Sequence, residues 1–124
     1  MKRDLAFALL EELPTGVIVI ARDTRVVLFN RAEARLAQRR DTDVLGKPFG
    51  SDVAPCFETQ QLGSIFAAKI GKEEIDETRE MTFPFPFHEK PRDVVVRLRS
   101  QWLDGEPHGV IYLEDVSAQR AVEA

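Results

Sequence analysis

The sequence predicts an α+β domain, a five-stranded antiparallel sheet with a helical segment across one face and helices at both ends. Three observations predict it. Two β-branched runs of strand length, "GVIVIA" at 16–21 and "RVVLF" at 25–29, stand near the start. The apolar spacing is helical through much of residues 30–71 and changes to a period of two from residue 73 onward. Because that helical middle has strands on both sides, it folds across the sheet rather than extending it, which leaves a hollow where a small ligand fits.

The elements follow in order. Leu5, Leu9 and Leu13, with Ala6 and Leu10 beside them, repeat at helical spacing until Pro14-Thr15-Gly16 stops the helix. The strand runs at 16–21 and 25–29 are separated by "RDT", short enough for a hairpin. Asn30 then caps a helix through "RAEARLAQRR", and Asp41 or Thr42 starts a short turn before Gly46-Lys47-Pro48. A further helix is expected over 58–70, with Leu62, Ile65, Phe66 and Ile70 on one side and Gly71 ending it.

Beyond it, "EEIDETREMTFPFPFH", "RDVVVRLRSQWLDG" and "GVIYLEDV" read as three long strands, with turns at Glu89–Pro91 and Asp104–His108. Val94, Val96, Leu98 and Trp102 face one way while Arg97, Arg99 and Gln101 face the other, a sheet with one dry face. Pro84 and Pro86 remove two N–H donors from the same edge, so their strand belongs at the border of the sheet, with Phe83, Phe85 and Phe87 on one face. A last helix begins near Ser117. Residues 1–124 form one domain, divided into an opening helix at 1–13, a core at 14–116 and the start of an exit helix at 117–124.

Several function classes are excluded by composition. The apolar runs fall far short of the ~18 residues of a membrane span, and the acidic residues Asp4, Glu11 and Glu12 do not suit a secretory signal. One cysteine makes no internal disulfide and two histidines make no metal cluster, which fits a reducing cytoplasm. The net charge of −4 comes from 17 basic and 21 acidic side chains spread along the chain, with no basic stripe for a nucleic acid. No Gly-x-Ser-x-Gly or His-Glu-x-x-His segment is present, and Cys56 with His88 is too common a pair to indicate catalysis, so no enzyme is expected.

Cys56, in "DVAPCF", reads in two ways. It is a buried inert thiol, or a reactive one whose pKa is lowered by the helix that follows. Glu33 also has two readings, which can coexist. As the third residue after Asn30 it completes a capping box, and with Phe29, Leu36 and Ala37 beside it a carboxyl would have a raised pKa and could donate to a ligand. Arg39 and Arg40 end their helix as dipole-favoured, solvated cations or gate a pocket. His88 and His108 fall at a strand end and a turn, poor positions for haem ligands. Leu5, Phe7 and Leu9 cannot all be covered by one small sheet, and this makes the opening helix a dimer surface.

Over residues 5–120 the order of elements and several phrases resemble the PAS sensory family. The phrases are "LLEELPTGVIVIARDTRVVLFNRAEARL", "VLGKPF" and "LEDVSAQR". The flavin-binding Asn-Cys-Arg-Phe segment is absent. "DVAPC" is similar to the attachment segment of photoactive yellow protein-like PAS domains. That resemblance implies a 4-hydroxycinnamoyl thioester on Cys56 or no cofactor, with Glu33 as the acid bonding the phenolate and Arg39 as the gate. Phe29 stands where those proteins carry a tyrosine, and Ala37 where they carry a threonine. The family also implies a cytoplasmic signal-relay domain, a homodimer with a possible small-molecule ligand and an output module such as a kinase or transcriptional regulator. An Asp115–Arg120 ion pair, with Ser117 capping, would set the angle of the exit helix.

Overall fold

In the computed structural model the described residues are 1–50, 68–83 and 91–117. Cys56, Pro84, Phe85, Pro86, Phe87, His88 and Arg120, together with most of the helix expected over 58–70, lie outside them.

The elements are α1 (Arg3–Glu11), β1 (Gly16–Ile20), β2 (Val26–Phe29), α2 (Arg31–Ala37), a 3₁₀ turn (Asp41–Asp43), β3 (Asp76–Phe83), β4 (Arg92–Leu103) and β5 (Glu106–Asp115). The five strands form one antiparallel sheet in the order β2-β1-β5-β4-β3. β3 is at the edge, where the prolines that follow it placed it.

Period-two alternation divides the sheet into two apolar faces. The inner face carries Ile18, Ile20, Val94, Val96, Leu98, Ile111 and Leu113, joined by Val44, Phe49 and Ile70 from the segments that cross it. The outer face carries Val17, Val19, Leu28, Leu103 and Val110, covered by Ala6 of α1. β1 is therefore buried at every position, which explains its unbroken apolar run. The "GKPF" segment runs beside β2: the Gly46 N–H donates to the Val26 carbonyl, Val26 donates to Lys47, and Phe49 donates to Thr24. An edge that would otherwise be open is covered.

The β4–β5 turn differs from the sequence expectation. Leu103 pairs with Glu106, and Asp104 and Gly105 both have positive φ (52° and 75°), so the connection is a two-residue Asp-Gly turn rather than Asp104–His108. His108 is consequently a buried strand residue, with Nδ1 2.9 Å from the Glu106 carbonyl oxygen. Trp102 lies past the inner core and is 57% exposed, although it shares the alternation of Val94, Val96 and Leu98. Beside it Gly71, Lys72, Ser100, Gln101 and Pro107 line an open groove of about 410 Å³.

The turn also holds α1. Lys2, at the N-cap, makes no side-chain cap. Asp104 takes that role across the chain: its carboxylate accepts from the Arg3 N–H at 3.0 Å, and its own N–H donates to the Met1 carbonyl at 3.0 Å. Phe7 and Leu10 pack against the outer cluster, and the Arg3 guanidinium sits 5.1 Å from the Phe7 ring centroid. Phe7 thus faces the sheet, which corrects its grouping with Leu5 and Leu9. The helical period puts residue 7 on the side of residues 6 and 10, and leaves Leu5 and Leu9 outward at 57% and 58% exposure.

Candidate functional site

The site is built around the turn from β2 into α2. Asn30 is fully buried there, and its side chain makes four hydrogen bonds. Oδ1 accepts from the Val17 N–H at 2.8 Å and the Glu33 N–H at 3.0 Å. Nδ2 donates to the Leu10 carbonyl at 2.9 Å and the Thr15 carbonyl at 3.0 Å. The expected N-cap is present, and the same side chain also fastens the end of α1 and the start of β1. Sequence reasoning found only the cap, because the other partners are tertiary.

The reciprocal half of the capping box is not formed. The Asn30 N–H donates instead to the Val17 carbonyl at 3.1 Å, so the strand ladder takes the donor that Glu33 would have bonded. The Glu33 carboxyl is thereby released into the protein. Glu33 is 2% exposed, and its Oε2 is buried with no hydrogen-bond partner among the described residues. Burial pushes its pKa up to about 8, so the group is a neutral acid at neutral pH. Gly16 makes room for it, since a β-carbon there would lie 3.2 Å from Oε2 and 3.3 Å from the Leu113 carbonyl oxygen.

Around Glu33 the inner face is apolar. Phe29 is 3% exposed in the inner cluster, and Leu36 and Ala37, together with Ala34, pack against that cluster. Arg31, Arg35 and Gln38 are not buried. Gln38 ends α2 in the left-handed conformation (φ 51°), and the Arg39 N–H closes back on the Ala34 carbonyl at 3.1 Å. Arg39 follows that cap and is half-buried. Arg40 is exposed and bonds Asp43 at 3.0 Å, which makes it a surface cation. Cys56, the proposed attachment point, is outside the described residues. Among the described residues no three His, Cys, Asp or Glu side chains group to hold a metal.

A second constellation stands where β5 ends. Both Nε and Nη2 of Arg92 lie 2.9 Å from Oδ2 of Asp115. Asp115 Oδ1 accepts from the Ser117 N–H at 3.0 Å, and the Ser117 hydroxyl oxygen accepts from the Asp93 N–H at 2.7 Å. Burial alone would raise the Asp115 pKa, but the Ser117 hydrogen bonds and the Arg92 guanidinium outweigh it and hold the carboxyl below its usual range. Among the described residues the cation paired with Asp115 is Arg92, and the expected Arg120 lies outside them. The sequence could not supply Arg92, because the pairing follows from the β4–β5 register, which sets Val94 opposite Asp115.

Comparison with known proteins gives a consistent result. A family profile described as the PAS fold matches residues 5–112. The chain is 28% identical over 96 residues to the photoactive yellow protein of Rhodothalassium salexigens, covering 77% of this chain and 75% of that one. It is 41% identical over 56 residues to the photoactive yellow protein of Cereibacter sphaeroides, 45% of each chain. Among solved structures it is similar to the photoactive yellow protein domain of the sensor histidine kinase Ppr from Rhodospirillum centenum, with TM-score 0.73 and 24% identity over 88% of this chain and 92% of that one. It is also similar to the PAS domain of BvgS from Bordetella pertussis, with TM-score 0.75 and 19% identity over 97% and 91%. PAS domains are generally sensory modules. No helix among the described residues is long and apolar enough to cross a membrane. The chain belongs to the PAS family.

Proposed function

We propose that this PAS domain senses a small effector on the inner face of its sheet, under α2, with Glu33 as the polar contact. The observation that carries this reading is the buried Glu33 carboxyl with an unpartnered Oε2. An orphaned polar atom costs about 1–3 kcal/mol, a cost a ligand acceptor would remove. As a neutral acid, Glu33 donates one hydrogen bond to an acceptor on the ligand. The signal leaves through the Arg92–Asp115–Ser117 joint into the exit helix and on to an output module such as a kinase. The domain works in the cytoplasm as a homodimer, paired through Leu5 and Leu9 of α1, and has no enzymatic activity of its own. Native mass spectrometry of the protein from its source cells tests the effector. The expected result is a bound species that is lost in Glu33→Met; a bare mass for the wild-type domain would overturn the reading.

A second reading, favoured by the similarity to photoactive yellow proteins, is a photoreceptor with a 4-hydroxycinnamoyl group thioester-linked to Cys56. The residues present fit that group in part. Glu33 suits a phenolate oxygen, whereas Phe29 and Ala37 offer no hydroxyl. A hydrogen bond to a charged group contributes about 1.5–3 kcal/mol, so losing one raises the phenol pKa by roughly one to two units. Bound there, the group would supply the light absorption, and Glu33 would hold the proton facing its oxygen. Reconstitution with an activated hydroxycinnamoyl donor should add the acyl mass and a visible band, both abolished by Cys56→Ser. An unchanged mass removes this reading and leaves the first intact.

A further inference from the structure

The outward side of α1 is apolar where solvent would favour polar side chains. Leu5 and Leu9 are 57% and 58% exposed, and the stripe continues through Met1 (70%) and Leu13 (38%). Ala8, also exposed, flanks Leu5 one turn on and lets another helix approach closely. Asp4, in the first turn, points away from the leucines, and on their side of the helix the charges at the two ends have opposite sign. Lys2 stands at the N-cap and Glu12 at the C-cap, both exposed. Among the described residues Glu12 has only a 4.0 Å contact with Arg31, a cation already held by Glu11 at 3.5 Å.

These residues are arranged symmetrically about position 7. Leu5 and Leu9 are each two residues from it, Lys2 and Glu12 each five, and Met1 and Leu13 each six. A helix with this pattern is complementary to itself turned end for end. We infer that α1 docks antiparallel against α1 of a second copy, with the two-fold axis on the Leu5 and Leu9 side at the height of residue 7. Leu5 then meets the partner's Leu9, and Lys2 meets the partner's Glu12. The inference rests on the homodimer reading above and adds its orientation and register.

The parallel alternative is disfavoured by the same residues. It would set Lys2 against the partner's Lys2 and Glu12 against the partner's Glu12, with like charges at both ends. Antiparallel packing turns each conflict into an opposite-charge pair, and symmetry makes the pair twice. A contact limited to one short helix buries far less than a standard interface, so the dimer is weak and concentration-dependent.

Sedimentation of the full chain across micromolar to millimolar concentration tests this. Leu9→Asp should abolish the dimer. Lys2→Glu and Glu12→Lys should each weaken it about 3- to 10-fold, since each disturbs two exposed pairs, and the double change should restore it to within about 2-fold. The single changes put an acid at the start of α1 and a base at its end, which favours the helix, so weakening cannot come from fraying. If the wild type stays monomeric, or Leu9→Asp dimerises like the wild type, both this inference and the homodimer reading through α1 fall. If Leu9→Asp dissociates the dimer while the double change is no better than the singles, the antiparallel register falls and the homodimer reading stands.

Discussion

Glu33 occupies the space that Gly16 leaves empty: its Oε2 atom lies 3.2 Å from where a β-carbon on Gly16 would sit. The Leu113 carbonyl oxygen, 3.3 Å from the same point, is backbone and cannot swing aside. Gly16→Ala is therefore expected to destabilise the domain by about 1–3 kcal/mol through overpacking. Urea unfolding measures this. The cost should be partly relieved in a Gly16→Ala, Glu33→Ala double variant, because one of the two close neighbours is removed.

Glu33 also makes stability depend on pH. Its folded pKa, about 8, lies above the ordinary value of 4.5. The folded state therefore binds more protons than the unfolded chain between those values. The stabilisation is complete below pH 4.5 and is lost as pH rises through 8, a total of about 5 kcal/mol. Glu33→Met should flatten that slope and raise stability at pH 8. A wild-type curve with no fall between pH 5 and 8 would contradict the buried neutral acid.

Asn30 should be the least replaceable polar residue of the site. Asn30→Ala leaves the Val17 and Glu33 N–H groups and the Thr15 carbonyl without this partner, while the Leu10 carbonyl keeps the Leu13 N–H at 3.2 Å. At about 1–3 kcal/mol for each group that water does not reach, the domain should lose most of its stability. Asn30→Asp should also be damaging, because it turns an acceptor toward two carbonyl oxygens. A thermal melt of each variant decides.

At the exit joint, Asp115→Asn should loosen the residues that follow β5 and leave the sheet in place. The Arg92–Asp115 pair is part-exposed, with side-chain exposures of 33% and 22%, so screening limits the cost to about 1 kcal/mol. The Asp115 pKa is held low, so its contribution is present above about pH 3.9 and is lost as pH falls through the folded value. The Asn variant should lack that acid limb. Hydrogen exchange at Val116 and Ser117 should quicken in it at neutral pH, while exchange in the centre of β4 should not.

How much was legible in the sequence depended on how local each cause was. The hairpin strands, the cap at Asn30, the edge position of β3 and the apolar neighbours of Glu33 follow from spacing and from residue types acting over a few positions. The turn at Asp104-Gly105 is equally local, but Glu106-Pro107-His108 interrupts the apolar pattern that resumes at Gly109, so these strand residues look like part of the turn. The fourfold role of Asn30, the release of Glu33 from its capping box and the Arg92–Asp115 pair depend on register and on which segment crosses which. Those contacts link residues far apart in the chain, and no local pattern encodes them. Phe7 is a different case: the helical period groups it with Ala6 and Leu10, but which apolar side of α1 meets the sheet is set by packing on the outer cluster, a tertiary choice.

The β4–β5 hairpin joins the domain's two ends mechanically. Ten consecutive pairs run from Val94–Asp115 to Leu103–Glu106, with Arg92 gripping the exit at one extremity and Asp104 holding the first turn of α1 at the other. Such a ladder does not slip by one position without turning its dry side to water. The soft coordinate left to it is torsion, so a twist of the sheet would turn both grips together and couple the first turn of α1 to Val116 and Ser117.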